Sequence, residues 1–198
     1  MKLRGLYAIT PEGPGLERKV RLALEGGIAL LQYRRKTADR AQAAMIVRMA
    51  REHGVPVIIN DELELALELG ADGAHLGRDD GDLRAARAKL HGRILGASCY
   101  NDLALARAAV SAGADYIAFG SVFASPTKPA AVRAPLELFG KARTLGVPVA
   151  AIGGITLANA PALISAGADL LAVITDLFEA PDIRTRAQDY GKLFAHEQ

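Results

Sequence analysis

The sequence predicts an α/β fold, a (β/α)8 TIM barrel in a single compact domain over residues 1–198. Three observations carry this. Eight short apolar runs recur at Gly5–Thr10, Ala29–Arg34, Val55–Asp61, Gly73–Gly77, Arg93–Cys99, Tyr116–Val122, Val147–Gly154 and Leu170–Thr175. Stretches with helical spacing separate them, and strand–helix alternation sustained eight times is the pattern of a parallel sheet closed on itself. One boundary motif also repeats, as Leu67-Glu-Leu-Gly-Ala-Asp72, Val110-Ser-Ala-Gly-Ala-Asp115 and Ile164-Ser-Ala-Gly-Ala-Asp169, with Leu24-Glu-Gly-Gly27 as a looser fourth copy.

Each copy reads as a helix closed by glycine and a tight turn into a strand. The strands that follow, such as Tyr116-Ile-Ala-Phe-Gly and Leu170-Leu-Ala-Val-Ile, are apolar throughout rather than alternating. Continuous apolarity suits parallel strands covered on both faces. The helices read as Gly15–Glu25, Ala38–His53, Glu62–Leu69, Asp82–Leu90, Leu103–Ala112, Pro135–Leu145, Leu157–Ala166 and Asp182–Phe194. Asp102 and Thr156 are expected as N-caps, and Pro135 in a first turn. Barrel active sites lie at the C-terminal ends of the strands. Asp72, Asp115 and Asp169 precede their strands, so a structural role is expected for all three.

Composition narrows the function class. Hydrophobic residues make up 51% and charged residues 23%, values of a well-cored globular protein. The net charge is only +2, without a basic run or aromatic platform for nucleic acid. A single cysteine rules out an internal disulfide framework and suits the cytoplasm. The N-terminus runs into a strand without a signal-peptide h-region, and no apolar run is long enough for a bilayer. The expected partners are small-molecule substrates, with a homo-oligomer allowed and neither nucleic acid nor membrane involved.

The polar residues after each strand define the mouth. After strand two, Gln32, Arg34 and Lys36 point one way, and Tyr33 and Arg35 the other. Two cations and an amide suit a phosphorylated ligand with a polar ring, although a solvated basic loop reads the same way. After strands three and four come Asn60-Asp61 and Arg78-Asp79-Asp80. Asp61 and Asp80 could share Mg2+, which takes one or two carboxylates plus water and phosphate oxygens. Alternatively each simply caps the helix that follows. Cys99, after strand five, reads as a buried structural thiol. After strand six, Ser125-Pro-Thr127-Lys128 combines hydroxyls with a point charge, as a phosphate site or a plain loop would.

After strand seven, Gly153-Gly154-Ile155-Thr156 opens a helix, and after strand eight stands Ile174-Thr175. These two loops form the recurrent phosphate site of such barrels. The chain thus offers two anion sites, one cationic with a metal and one a backbone cradle. Among the four histidines, His53 and His91 precede glycines at helix ends, His196 is in the tail, and His75 lies inside strand four. None stands as a general acid or base, which suits a reaction driven by a leaving group that departs with its metal.

These residues resemble thiamine-phosphate synthase over nearly the full chain. The matching motifs are Gln32-x-Arg34-x-Lys36, Ile59-Asn60-Asp61, His75-Leu-Gly-x-x-Asp80, Gly96-x-Ser98, Ser125-x-Thr127-Lys128 and Ile152-Gly-Gly-Ile155, with Gly5-Leu-Tyr-Ala-Ile-Thr10 at the start. The resemblance implies a transferase that joins a pyrimidine diphosphate to a thiazole phosphate and releases pyrophosphate by a dissociative, Mg2+-assisted route. It places Mg2+ on Asp61 and Asp80. It puts the diphosphate on Arg34, Lys36, Asn60, Ser98 and Lys128, with Arg34, Ser98 and Lys128 as the catalytic set. Gln32 would meet the aminopyrimidine, and Ser125, Thr127, Gly154, Ile174 and Thr175 the thiazole phosphate. Tyr100 stands where the family commonly has His, Arg78 where Gln is frequent, Ser125 for Thr and Thr175 for Ser. The family's usual extension before strand one is not seen. Two other readings share the barrel: a thiazole tautomerase, which needs no diphosphate site, and a non-catalytic sensor of thiamine intermediates. Phosphosugar epimerases need metal-site histidines at strand ends, which this sequence does not offer. The loops Tyr33–Arg40 and Ala124–Arg133 are expected as candidate lids.

Overall fold

In the computed structural model, which describes residues 3–37, 39–124 and 133–195, the expected alternation is present at every beat. The strands are β1 (Gly5–Ile9), β2 (Leu30–Tyr33), β3 (Val57–Asn60), β4 (Gly73–Leu76), β5 (Ile94–Tyr100), β6 (Tyr116–Gly120), β7 (Val149–Ile152) and β8 (Leu170–Val173). The helices are α1 (Leu16–Glu25), α2 (Arg40–Glu52), α3 (Leu63–Glu68), α4 (Leu83–Leu90), α5 (Leu103–Ser111), α6 (Glu137–Ala142), α7 (Ala160–Ala166), α8 (Thr175–Phe178) and α9 (Ile183–Ala195). The strands close in chain order, all parallel, with Gly5 against Leu170 at the seam.

Side-chain parity sorts each strand into two cores. One set faces the helices, including Leu6, Ala8, Leu31, Tyr33, Ile59 and Phe119. The alternate set fills the barrel, with Tyr7, Ile9, Leu30, Ile58, Tyr116 and Leu170 packed together. Both faces are therefore apolar, which is why the strands read as unbroken hydrophobic runs.

The three Gly-Ala-Asp aspartates each hold the start of the preceding strand. Asp72 Oδ2 accepts from the Val57 N–H at 2.8 Å, Asp115 Oδ2 from Leu95 at 2.7 Å, and Asp169 Oδ2 from Val149 at 3.0 Å. They are structural, as their position predicts. A groove of about 720 Å3 opens beside two of them at the N-terminal end of the barrel. Asp72 and Asp115 line it, but their carboxylates are already committed to strand ends, and the polar groups for chemistry sit at the opposite end.

Several local expectations change. Asp102 caps α5, accepting from the Ala104 and Leu105 N–H groups. Thr156 is no cap. Its own N–H donates to Asn159 Oδ1, and α7 begins only at Ala160. Gly153 and Gly154 therefore lie in a turn well ahead of that helix rather than at its opening. Pro135 stands two residues before α6. The four-residue α8 was not expected, because one turn gives no periodicity. Cys99 is buried, as anticipated. His53 and His91 occupy the C-cap positions of α2 and α4. Ala38 and His196 lie outside the described residues.

Candidate active site

Inward-facing polar residues collect toward the C-terminal ends of β2 to β5. Gln32 shares the parity of Leu30, and Asn60 that of Ile58. His75 and Ser98 stand on the two strands beyond. Gln32 and His75 are only 2% and 7% exposed, so their polar atoms need partners inside the protein. They find them in one chain across the barrel. Gln32 Nε2 donates to the Tyr7 hydroxyl, which lies 2.8 Å from the Tyr116 hydroxyl. Tyr116 meets His75 Nδ1 at 2.7 Å, and His75 Nε2 meets Ser98 Oγ at 2.8 Å.

Gly96 makes this possible. It pairs directly with Tyr116 across β5 and β6, and a Cβ at that position would fall 2.2 Å from the Tyr116 ring. Burial pushes the His75 imidazole down to about 4, so the ring is neutral. Burial likewise raises the Tyr7 and Tyr116 hydroxyls, which stay protonated.

Above this layer, Asp61 and Asp80 converge. The Asp61 N–H donates to the His75 carbonyl at 2.9 Å, carrying the β3–β4 ladder one residue past Asn60. With a φ of 62°, Asp61 then turns left-handed, a conformation tolerated by Asp and often found at functional sites. Asp80 is drawn back over the mouth by the Gly77 N–H, which donates to its Oδ2 at 2.7 Å. Asp61 is exposed as a residue, yet partial burial of its carboxyl, aided by the adjoining Asp80, pushes it up to about 6. Arg34 and an Asn60 hydrogen bond oppose that rise.

Neither aspartate caps a helix. Glu62 precedes α3 without a side-chain cap bond, and Asp82 caps α4. The capping alternative is thereby overturned. Two carboxyls in hydrogen-bond contact, flanked by an amide and a guanidinium, repel each other when both ionise and gain from a shared cation. No group of three or more His, Cys, Asp or Glu able to hold a metal occurs among the described residues. Two carboxylates alone are the donor set expected of Mg2+ completed by water and phosphate oxygens, not of zinc.

The basic segment after β2 is tied down. The Arg34 N–H donates to Thr10 Oγ1 at 2.8 Å, and that hydroxyl donates back to the Arg34 carbonyl at 2.9 Å. Glu12 accepts from the Lys36 N–H and from Arg35. Arg35 and Tyr33 face outward, toward Gln42 and the Asp39 carbonyl, while Gln32 faces inward. Two of the departures from the family pattern touch. The Arg78 guanidinium lies over the Tyr100 ring, 5.0 Å from its centroid, and the Arg78 N–H points to the Tyr100 hydroxyl.

Across the mouth, Gly154 has a φ of 63°, and a Cβ there would meet the Ala124 carbonyl at 2.3 Å. Only glycine lets the β6 and β7 loops approach so closely. The Asn159 amide holds this turn by donating to the Gly154 carbonyl. Ile174 precedes α8 and Thr175 begins it. Asp176 anchors that short helix to α9, accepting from Arg186 at 2.7 Å and Tyr190 at 2.8 Å. Ser125, Thr127 and Lys128 lie outside the described residues, as does most of the Ala124–Arg133 loop.

A family model described as thiamine monophosphate synthase matches residues 6–177. This chain belongs to the thiamine monophosphate synthase family. The thiamine-phosphate synthase of Aromatoleum aromaticum is 59% identical over 98% of this chain and 97% of that protein. That of Thiobacillus denitrificans is 54% identical over 98% and 96%. A solved structure, thiamine phosphate pyrophosphorylase from Pyrococcus furiosus, superposes with a TM-score of 0.86 at 33% identity, covering 98% of this chain and 96% of its own. A 3-hexulose-6-phosphate synthase from Salmonella typhimurium reaches a TM-score of 0.75 at 17% identity, a likeness of fold alone. Among the described residues no helix is long and apolar enough to cross a membrane.

The Tyr7 and Tyr116 hydroxyls and Thr10 were not anticipated as parts of the site. The one available signal was tyrosine inside otherwise aliphatic strands, with a glycine at the cross-strand position.

Proposed function

We propose that this chain, folded as one domain in the cytoplasm, is a thiamine-phosphate synthase. It couples 4-amino-2-methyl-5-hydroxymethylpyrimidine diphosphate to 4-methyl-5-(2-phosphoethyl)thiazole, giving thiamine phosphate and pyrophosphate. The observation that carries the reading is the Asp61–Asp80 pair, flanked by Asn60 and Arg34, at the C-terminal mouth of the barrel.

In this reading Arg34, Lys36, Asn60, Ser98 and Lys128 hold the diphosphate, and Asp61 and Asp80 hold Mg2+. When bound, that ion would neutralise charge gathering on the departing pyrophosphate. Arg34, Ser98 and Lys128 would add donors to the same oxygens, stabilising charge where it develops. The bond from the pyrimidine methylene carbon to oxygen breaks, pyrophosphate keeps the electron pair, and the thiazole nitrogen forms the new C–N bond. No proton transfer is required, which agrees with a buried, neutral His75. Gln32 meets the aminopyrimidine. Ser125, Thr127, Gly154, Ile174 and Thr175 hold the thiazole phosphate, beside the short helix that often completes this phosphate site in barrels.

The test is a coupling assay with both substrates and Mg2+, following thiamine phosphate and pyrophosphate. Product that vanishes with EDTA and returns with excess Mg2+ supports the transferase and its metal together. Thiazole-phosphate binding with no product would favour the tautomerase or sensor reading. A carboxylate pair with no diphosphate to serve speaks against either.

A further inference from the structure

The hydrogen-bond chain beneath the mouth has a direction, and this inference rests on the synthase reading for what lies at its two ends. Five side chains take part: Gln32, Tyr7, Tyr116, His75 and Ser98. Each link but the first has a direction to be settled. Gln32 meets Tyr7 through Nε2, which can only donate. The Tyr7 hydroxyl therefore accepts there, and its single hydrogen has one remaining acceptor in the chain, the Tyr116 oxygen. Tyr116, accepting from Tyr7, donates its own hydrogen to His75 Nδ1. The neutral imidazole then carries its hydrogen on Nε2 and donates to Ser98 Oγ.

With Nε2 facing Tyr7, the reverse order leaves the Tyr7 hydrogen without an acceptor in the barrel interior. Such a loss costs the full desolvation of the group. Tyr7 and Tyr116 are almost completely enclosed, and no buried side-chain nitrogen or oxygen among the described residues lacks a partner.

We propose that Tyr7, Tyr116 and His75 are positioning residues that transmit the orientation of the Gln32 amide to Ser98, so that Ser98 accepts from below and offers its own hydrogen to the diphosphate. The consequence is coupling between ring recognition and anion recognition. A pyrimidine amino group donating to Gln32 Oε1 keeps Nε2 on Tyr7, and so keeps Ser98 a donor. A ring presenting an acceptor at that place turns the amide over and reverses every link. Ser98 would then spend its hydrogen on His75 Nε2 and present only lone pairs to an anion. Discrimination against oxo-pyrimidines thus reaches the diphosphate end of the site without a direct contact.

The first test needs no substrate. Nitrogen-15 spectroscopy of the histidine rings in the whole ligand-free protein, with His75 assigned by its loss in His75→Gln, reports which nitrogen bears the hydrogen. The Nε2–H tautomer is expected, and the Nδ1–H tautomer overturns the proposal. The second test is Tyr7→Phe, which keeps the ring and cuts the chain. The His75 signal should become a mixture of tautomers. The KM for the pyrimidine diphosphate should rise about tenfold, the worth of one hydrogen bond, with the KM for the thiazole phosphate unchanged. An unaltered tautomer together with an unaltered KM refutes the coupling. If Tyr7→Phe does not fold, the wild-type spectrum decides. A protein with the expected tautomer but no coupling activity would count against the synthase reading alone.

Discussion

Replacing Gly96 with alanine should be among the most damaging single-methyl additions in this protein. The new Cβ would lie 2.2 Å from Tyr116 Cζ, and 2.3 Å from both Cε1 and the hydroxyl oxygen. All three atoms belong to one rigid ring, so no rotamer change at the far end of a flexible chain relieves the contact. Displacing a packed side chain costs about 1–3 kcal/mol. The displaced hydroxyl also leaves Tyr7 and His75, two buried hydrogen bonds worth about 1 kcal/mol each. The sum is about 4 kcal/mol, a large share of the roughly 5–15 kcal/mol that stabilises a typical domain. At about 3 °C per kcal/mol for a chain of this size, melting falls by about 12 °C. Urea titration and thermal melting followed by circular dichroism read this directly. Gly140→Ala is the control, because its Cβ comes no closer than 3.8 Å to the Ala166 carbonyl. That helical position should gain roughly 0.5–1 kcal/mol. A Gly96→Ala protein within about 1 kcal/mol of wild type would refute the placement of the Tyr116 ring over β5.

Other expectations follow from the same geometry. His75 is held near 4 when folded, below its ordinary 6.5, so its stabilising contribution is full above pH 6.5 and is lost as pH falls toward 4. That loss is about 3 kcal/mol. Asp61, raised to about 6, works in the opposite sense, since the folded state then holds its proton more tightly than the unfolded chain. The acid loss should therefore appear undiluted in Asp61→Asn and shrink when His75→Gln is added, as read by urea midpoints between pH 7 and 4; equal slopes in the two proteins would contradict it. Asp80→Asn should cut turnover by at least about 100-fold while calorimetry finds thiazole-phosphate binding intact, and wild-type turnover in that variant would defeat the metal assignment. Gly154→Ala drives a Cβ against the Ala124 carbonyl, so thiazole-phosphate affinity should drop by about tenfold or more; unchanged binding would detach that turn from the phosphate site. Arg78→Ala should raise the KM for the diphosphate in low salt more than in high salt, and a salt-independent effect would place the Tyr100-stacked guanidinium away from the anion.

The barrel was legible because its signals are short-range. Both faces of each strand are covered, so the apolar runs stand out, and the Gly-Ala-Asp motif marks where three of the strands begin. Asp102 was legible as a cap because it stands directly before the first apolar residue of the helical stretch. Thr156 was not, since the Asn159 side chain takes the Thr156 N–H and delays the helix. Asp61 and Asp80 stood at helix starts, where a cap and a metal ligand look alike in sequence; only the actual partners of α3 and α4 separate the two. The Tyr7–Tyr116 contact joins residues 109 positions apart and depends on barrel closure, so no local pattern announces it. The His75–Ser98 bond, in contrast, joins the neighbouring strands β4 and β5, 23 positions apart.

The strand-start aspartates also bear on how the chain assembles. Each reaches back only 15 or 20 residues, to the strand just before its own. Loop closure over such spans is cheap, and contacts local in sequence form early. The β3–β4, β5–β6 and β7–β8 units can thus acquire register as separate hairpin-sized modules. The looser Leu24-Glu-Gly-Gly27 copy supplies no carboxylate to the β1–β2 unit. The pairing of Gly5 with Leu170 has to wait until β8 has emerged from the ribosome. Synthesis would then present three carboxylate-pinned modules in succession, with the β1–β8 seam completed last.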